Sequence, residues 1–205
     1  MKLLVTGFEP FGGSLINPSE LVVQTLAQTT LPGIELETAV LPVAQTTGPA
    51  ALIQAVRTTQ SEAVLCLGEA GGRAALSVER VFVNLMDYSI ADNSGNRITD
   101  QPIAVDGPAA YFATLPVRAM VEAIAAAGIP AEFSLSAGAY LCNQVSYALL
   151  HFLQTEALPI PAGFMHLPYL PQQVANSRSA RPSMSLETMV QGVTIALQII
   201  AGTQR

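Results

Sequence analysis

The chain of 205 residues is poor in the groups that anchor many small proteins: it has two histidines, two cysteines and only 12% charged residues. Two cysteines make no disulfide framework. With two histidines at separations that offer no close ligand pair, metal binding is disfavoured. Nine Lys and Arg against fifteen Asp and Glu leave a net charge of −6 and a pI near 4.8. With no basic patch, nucleic acid and anionic membrane are poor partners. No apolar run approaches the roughly 20 residues that cross a bilayer. The start, Met-Lys-Leu-Leu-Val-Thr-Gly, reads as a strand rather than a signal peptide. These shortages point to a soluble, cytoplasmic protein.

Apolar residues are plentiful at 50%. A chain this long can bury roughly 70% of its unfolded surface, so it folds without metal or cross-links. A surface with so few charges is explained equally by burial between subunits or by a large Ala-rich core.

Strands and helices alternate along the chain. Strand patterns lie at 2–6, 34–43, 63–67, 77–85, 131–136 and 163–167. Helical patterns lie at 48–58, 117–127, from Cys142 to about Gln154, and at 185–201. A further helix follows Asn17-Pro18-Ser19-Glu20, with Asn17 as cap and Pro18 at the first helical position. Residues 88–111 form the longest irregular stretch, with the length of a lid or an interface segment. The alternation predicts one α/β domain over 1–205, a three-layer sandwich with a mostly parallel, twisted sheet flanked by helices. In such sheets the functional site lies beyond the carboxyl ends of the strands.

Cys142 stands at a helix start just after a strand. Open N–H groups and the helix dipole there favour a thiolate, so Cys142 reads as a nucleophile. Cys66, inside an all-apolar strand, reads as an inert core thiol. His151 is nine positions beyond Cys142 on the same helix; at 100° per residue it faces away, toward solvent. His166 ends the strand Gly-Phe-Met-His, at the edge where Cys142 lies, and is the candidate base. A third group should orient its imidazole. Glu79 is the preferred carboxylate, with Glu69, Asp87 and Asp92 as alternatives. Alternation across 77–85 places Glu79 on one face with Val81 and Val83. The loop Gly68-Glu69-Ala70-Gly71-Gly72-Arg73 lacks phosphate-loop spacing, and Glu69 would repel a phosphate. Phe8 and Phe11, in the Gly/Pro-rich loop 7–13, read from the sequence alone as that loop anchoring itself.

Several blocks taken together resemble the pyroglutamyl peptidase type I family. They are Thr-Gly-Phe-Glu-Pro-Phe-Gly-Gly with Asn17-Pro18-Ser19, Gly-Glu-Ala-Gly-Gly-Arg, Val-Glu-Arg-Val-Phe-Val-Asn, Gly-Pro-Ala-Ala-Tyr, Leu-Cys-Asn and Gly-Phe-Met-His-Leu-Pro-Tyr. The resemblance runs in order over nearly the whole chain. It implies a cytosolic cysteine exopeptidase, needing no cofactor, that removes N-terminal pyroglutamate from peptides through Cys142, His166 and Glu79. It further implies that Phe8 and Phe11 hold the lactam ring with Glu69, Ile90, Tyr140 and Leu141 nearby, and that the protein forms a homo-oligomer, a tetramer. Two positions depart from the family pattern: Glu69 replaces a Gln, and Ser89 stands where an Arg near the oxyanion is often found. The alternatives are a pyroglutamyl-binding homologue without catalysis, and another α/β hydrolase such as a nucleoside-processing enzyme.

Overall fold

Alternation within the first strand sets the layers. In the computed structural model, which describes residues 1–202, β1 (Lys2–Phe8) sends Leu3 and Val5 to one face and Leu4 and Phe8 to the other. The next elements are α1 (Pro18–Leu26), β2 (Glu35–Leu41), α2 (Thr47–Thr59) and β3 (Ala63–Glu69). Then come β4 (Leu76–Glu79), β5 (Val81–Val83), β6 (Ala110–Phe112), α3 (Val117–Ala126) and β7 (Ala131–Ser134). The chain continues through α4 (Leu141–Thr155), β8 (Ala162–Leu167), the short α5 (Pro171–Val174) and α6 (Leu186–Gly202). The last three residues of the expected 1–205 domain lie outside the described residues.

Six strands form one sheet in the order β2-β1-β3-β8-β4-β7. One apolar layer joins α1, α3 and α6 to the sheet through Val22, Met120, Ile124, Met189 and Leu197. The opposite layer joins α2 and α4 through Leu52, Val56, Val145 and Leu149. This is the expected three-layer α/β/α arrangement. No described helix is long and apolar enough to cross a membrane.

Strand direction departs from a uniform parallel sheet. β2, β1, β3 and β8 run parallel. β4 is antiparallel to β8, and β7 runs with β4. The expected strand 77–85 breaks at Arg80, whose N–H donates to Ser134 O at 2.9 Å while its carbonyl accepts from Ala113 N at 3.0 Å. Residues 81–83 leave the main sheet and pair with β6 as a separate ribbon. Glu79 therefore does not share a strand face with Val81 and Val83; it sits at the end of β4 inside the main sheet. The direction of β7 also corrects the route to Cys142. The carboxyl end of β7 lies with the amino ends of β1, β3 and β8, and residues 135–140 carry the chain back to the start of α4.

Candidate active site

The far end of β1 begins the site. Asn17 caps α1 by accepting from Ser19 N at 3.0 Å, and its amide donates to Glu9 O at 3.0 Å. Ser19 Oγ accepts from Phe8 N at 2.9 Å. One cap thus fixes both the helix start and the position of Phe8. Glu9 Oε1 accepts from Val43 N and Asn93 Nδ2, each at 2.9 Å, tying the 7–13 loop to two neighbouring segments. A pocket results, lined by Phe8, Phe11, Asn17, Val43, Glu69, Tyr140, Leu141 and Cys142. Phe8, Phe11, Glu69, Tyr140 and Leu141, expected to lie near one another, all line this cavity. Ile90 is not among the lining residues: it is 42% exposed, and its Cδ1 would lie 3.4 Å from a Cβ added at Gly12.

Tyr140 is wedged between aromatic neighbours. Its ring centroid lies 6.0 Å from that of Phe11 and 4.7 Å, edge-on, from that of Tyr88. The Tyr88 hydroxyl donates to Gln144 Oε1, so the pocket wall is braced against α4. Glu69 Oε2 accepts from Gln173 Nε2 at 2.6 Å. Burial raises the Glu69 pKa and that hydrogen bond opposes the rise.

Cys142 occupies the first turn of α4, which starts at Leu141, one residue earlier than expected. Tyr140 provides no side-chain cap there. The first N–H groups of the helix consequently face the site without a capping side chain, in contrast to α1. The sulfur lies against the end of β3: a Cβ on Gly68 would come within 3.0 Å of it. Gly68 is the register partner of His166 on β8, so Cys142 and His166 both lie beside this point of the sheet edge.

His166, 4% exposed, and Glu79, 0% exposed, are joined by a 2.7 Å contact between Nδ1 and Oε1. The same Oε1 accepts from Arg73 Nη1 at 2.7 Å, and Arg73 Nη2 donates to Ser136 O at 3.1 Å. Of the alternative carboxylates, Asp92 is engaged elsewhere: it accepts from Ser94 N and Asn96 N of its own loop and from Gln45 N before α2. The backbone N–H of Asp87 bonds Ala139 O, and no contact joins its carboxylate to His166 among the described residues. Ser89 is exposed, its carbonyl accepting from Arg97 Nη2 at 3.1 Å.

The electrostatics overturn one expectation. A helix N-terminus predicts a lowered thiol pKa at Cys142, yet burial pushes it up to about 12, the Glu79 charge adding to the rise and Arg73 opposing it. Burial likewise drives His166 below its ordinary value, with Glu79 only partly opposing. Burial pushes Glu79 up, but the hydrogen bond and charge of His166, with Ser134 and Arg73, outweigh it and hold it low. These directions favour a resting thiol, a neutral imidazole and a carboxylate. Cys66 is fully buried and its thiol is also pushed up to about 12, as expected of an inert core residue.

His151 corrects a second expectation. It does face away from Cys142 but is not simply solvated: Nδ1 lies 3.0 Å from the Tyr111 hydroxyl and its ring stacks on Tyr147. Sequence reasoning missed Arg73, Gln173 and Val43 and read Asn17 only as a cap. The signal for Arg73 was present, because an arginine just beyond a strand's carboxyl end is well placed to meet a buried acid. No cluster of His, Cys, Asp and Glu suited to a metal occurs among the described residues.

Comparison with known proteins gives the same neighbourhood from every side. The family model "Pyroglutamyl peptidase" matches residues 1–203. A pyrrolidone-carboxylate peptidase of Vibrio vulnificus is 46% identical over 204 residues, covering 100% of this chain and 94% of the relative. A mutant pyrrolidone carboxyl peptidase from the hyperthermophile Pyrococcus furiosus superimposes with a TM-score of 0.96 at 38% identity, covering 100% of both chains. Pyroglutamyl peptidase I of Bacillus amyloliquefaciens gives a TM-score of 0.94 at 36% identity, covering 98% of this chain and 97% of that one. The chain belongs to the pyroglutamyl peptidase family.

Proposed function

We propose that this protein is a cysteine exopeptidase that hydrolyses the amide bond after an N-terminal pyroglutamyl residue of peptides, through Cys142, His166 and Glu79. One observation carries the reading: a buried Glu79–His166 pair at 2.7 Å lies beside a cysteine that lines an aromatic pocket. Glu79 engages Nδ1, which leaves Nε2 to take the thiol proton. The flat, neutral lactam suits the space between Phe8, Phe11 and Tyr140, and Glu69 can accept the lactam N–H.

In the first step the Cys142 proton passes to His166, and sulfur attacks the pyroglutamyl carbonyl. Glu79 stabilises the imidazolium that forms. The oxyanion is met by the uncapped N–H groups at the start of α4. His166 then protonates the departing amine, leaving a thioester. Water, deprotonated by His166, hydrolyses that thioester; pyroglutamate leaves and the thiol is restored. Because the resting thiol is protonated, thiolate forms together with imidazolium rather than standing ready. Exposed Ser89 offers no cation, so the helix start carries more of the oxyanion charge. No step calls for a cofactor. The shortage of charge and the exposed Phe112 and Leu135 support a homo-oligomer, which the family resemblance makes a tetramer, and the composition supports a cytoplasmic location.

The deciding experiment is release of a chromogenic amine from a pyroglutamyl amide, with and without a thiol alkylator. Cleavage that the alkylator abolishes, and that Cys142→Ala lacks while still folding, is expected. Binding of pyroglutamate without cleavage, or cleavage by the alanine variant, would overturn the assignment.

A further inference from the structure

A single oxygen of Glu79 serves two partners. Oε1 accepts from Arg73 Nη1 and contacts His166 Nδ1, both at 2.7 Å, while Oε2 is buried without a hydrogen bond. The Arg73 guanidinium reaches the acid from outside the sheet, with its side chain 26% exposed against 0% for Glu79. Its second nitrogen is fastened to Ser136 O at 3.1 Å, in the return segment that leads to Cys142.

We propose that Arg73 is the positioning residue of this site, its forked guanidinium holding Glu79 ionised and aimed at His166 Nδ1 while the imidazole is neutral. The inference rests on the peptidase reading for its kinetic consequence, but its electrostatic consequence stands without it. A fully buried carboxylate facing a neutral imidazole keeps hydrogen bonds from His166 and Ser134, but Arg73 alone brings it a permanent opposite charge. Without that charge the carboxylate would either take up a proton or draw one onto His166 and remove the base. Arg73 cancels the carboxylate charge at rest. Proton transfer from Cys142 to His166 then redistributes charge within a cluster of constant net charge. A lysine could restore the charge but cannot reach Oε1 and the Ser136 carbonyl as a rigid fork.

The other groups facing this cluster are few. Cys142 enters from α4, Glu69 from the end of β3 and Ser134 from β7. Ser77, opposite His166 on β4, is engaged with Glu132 at 2.7 Å. Arg73 is the only cationic side chain with a hydrogen bond to this cluster among the described residues. Removing it makes the cluster more negative, so every coupled proton is held more tightly.

The test compares wild type with Arg73→Gln and Arg73→Lys. Alkylation of Cys142 by iodoacetamide is followed against pH, and kcat and KM are followed against pH on a chromogenic pyroglutamyl amide. Arg73→Gln should shift the alkylation profile and the acid limb of kcat/KM upward by about one pH unit. It should also lower kcat by about 100-fold with little change in KM. Arg73→Lys should recover most of the pH position but only part of kcat. If the glutamine variant does not fold, the lysine variant's split between pH position and kcat decides. Profiles that coincide with wild type, with activity lost only in proportion to titratable thiol, would overturn the proposal. If wild type releases no pyroglutamate, the peptidase reading fails by itself and the alkylation profiles still decide the role of Arg73.

Discussion

Gly68 and His166 stand side by side on adjacent parallel strands, and the missing side chain of the first leaves room for the Cys142 sulfur beside it. A Cβ at Gly68 would lie 3.0 Å from that sulfur and 2.6 Å from Phe164 Cζ. Phe164 is fully buried and cannot yield freely. The added methyl must therefore displace the thiol. Gly68→Ala is expected to lower kcat by about 100-fold while overpacking costs about 1–3 kcal/mol of stability. Steady-state kinetics with a melting curve checks both; unchanged kcat would mean the sulfur has other room.

Acid should act on stability and activity through the same pair. Both His166 and Glu79 are held below their ordinary values of 6.5 and 4.5. For a depressed group the unfolded chain takes up protons first, so its contribution is present above the ordinary value and falls away below it. Loss of stability should begin as pH drops through 6.5, from His166, and steepen below 4.5, where Glu79 joins. Activity, which needs neutral His166, should extend below pH 6.5. Urea unfolding at a series of pH values, beside a pH–rate profile, tests this; an acid limb above 6.5 would contradict it.

The two loop phenylalanines should separate under mutation. Phe8 is 3% exposed and packs against Phe164 with centroids 6.5 Å apart. Phe8→Ala should cost about 3–5 kcal/mol, as a cavity in the core does. Phe11 is only half-buried and its ring faces Tyr140. Phe11→Ala should raise KM about tenfold, since a lost ring contact is worth on the order of 1.4 kcal/mol, and leave the melting temperature nearly unchanged. Equal destabilisation by both would refute the distinction.

Asn143, the residue after the cysteine, anchors the helix start. Its Oδ1 accepts from Val83 N at 2.9 Å, and its Nδ2 donates to Val83 O at 2.9 Å and Leu85 O at 3.0 Å. It is 1% exposed. Asn143→Ala would strip three part-buried backbone groups of their partner and should cost about 1–3 kcal/mol. Chemical denaturation measures this; a loss under 1 kcal/mol, on the order of one ordinary hydrogen bond, would show that water replaces the amide.

Much of this architecture was legible because burial writes itself into apolar periodicity. The largely apolar β3 and β8, the capped α1 and the striped α6 fall within a few residues of where the pattern puts them. Direction does not write itself in this way. Nothing in Leu-Ser-Val-Glu tells a strand to run against its neighbour, and the break at Arg80 depends on partners at Ser134 and Ala113, far along the chain. That His166 and Cys142 share one edge of the sheet was legible, although the strand before Cys142 runs the other way. The thiol's protonation was not legible. A helix start favours thiolate, but the burial and the nearby carboxylate that reverse the balance come from the tertiary fold.

The sheet order β2-β1-β3-β8-β4-β7 gives the site a place in time as well as in space. The strand bearing His166 is the last of the main sheet to leave the ribosome, yet it fills the gap between β3 and β4. A nascent chain that has reached Pro161 already contains Glu79, Arg73 and Cys142, but β3 and β4 have no strand between them. Cys142 and Glu79 are made before His166, so the three cannot be brought together until the sheet is complete.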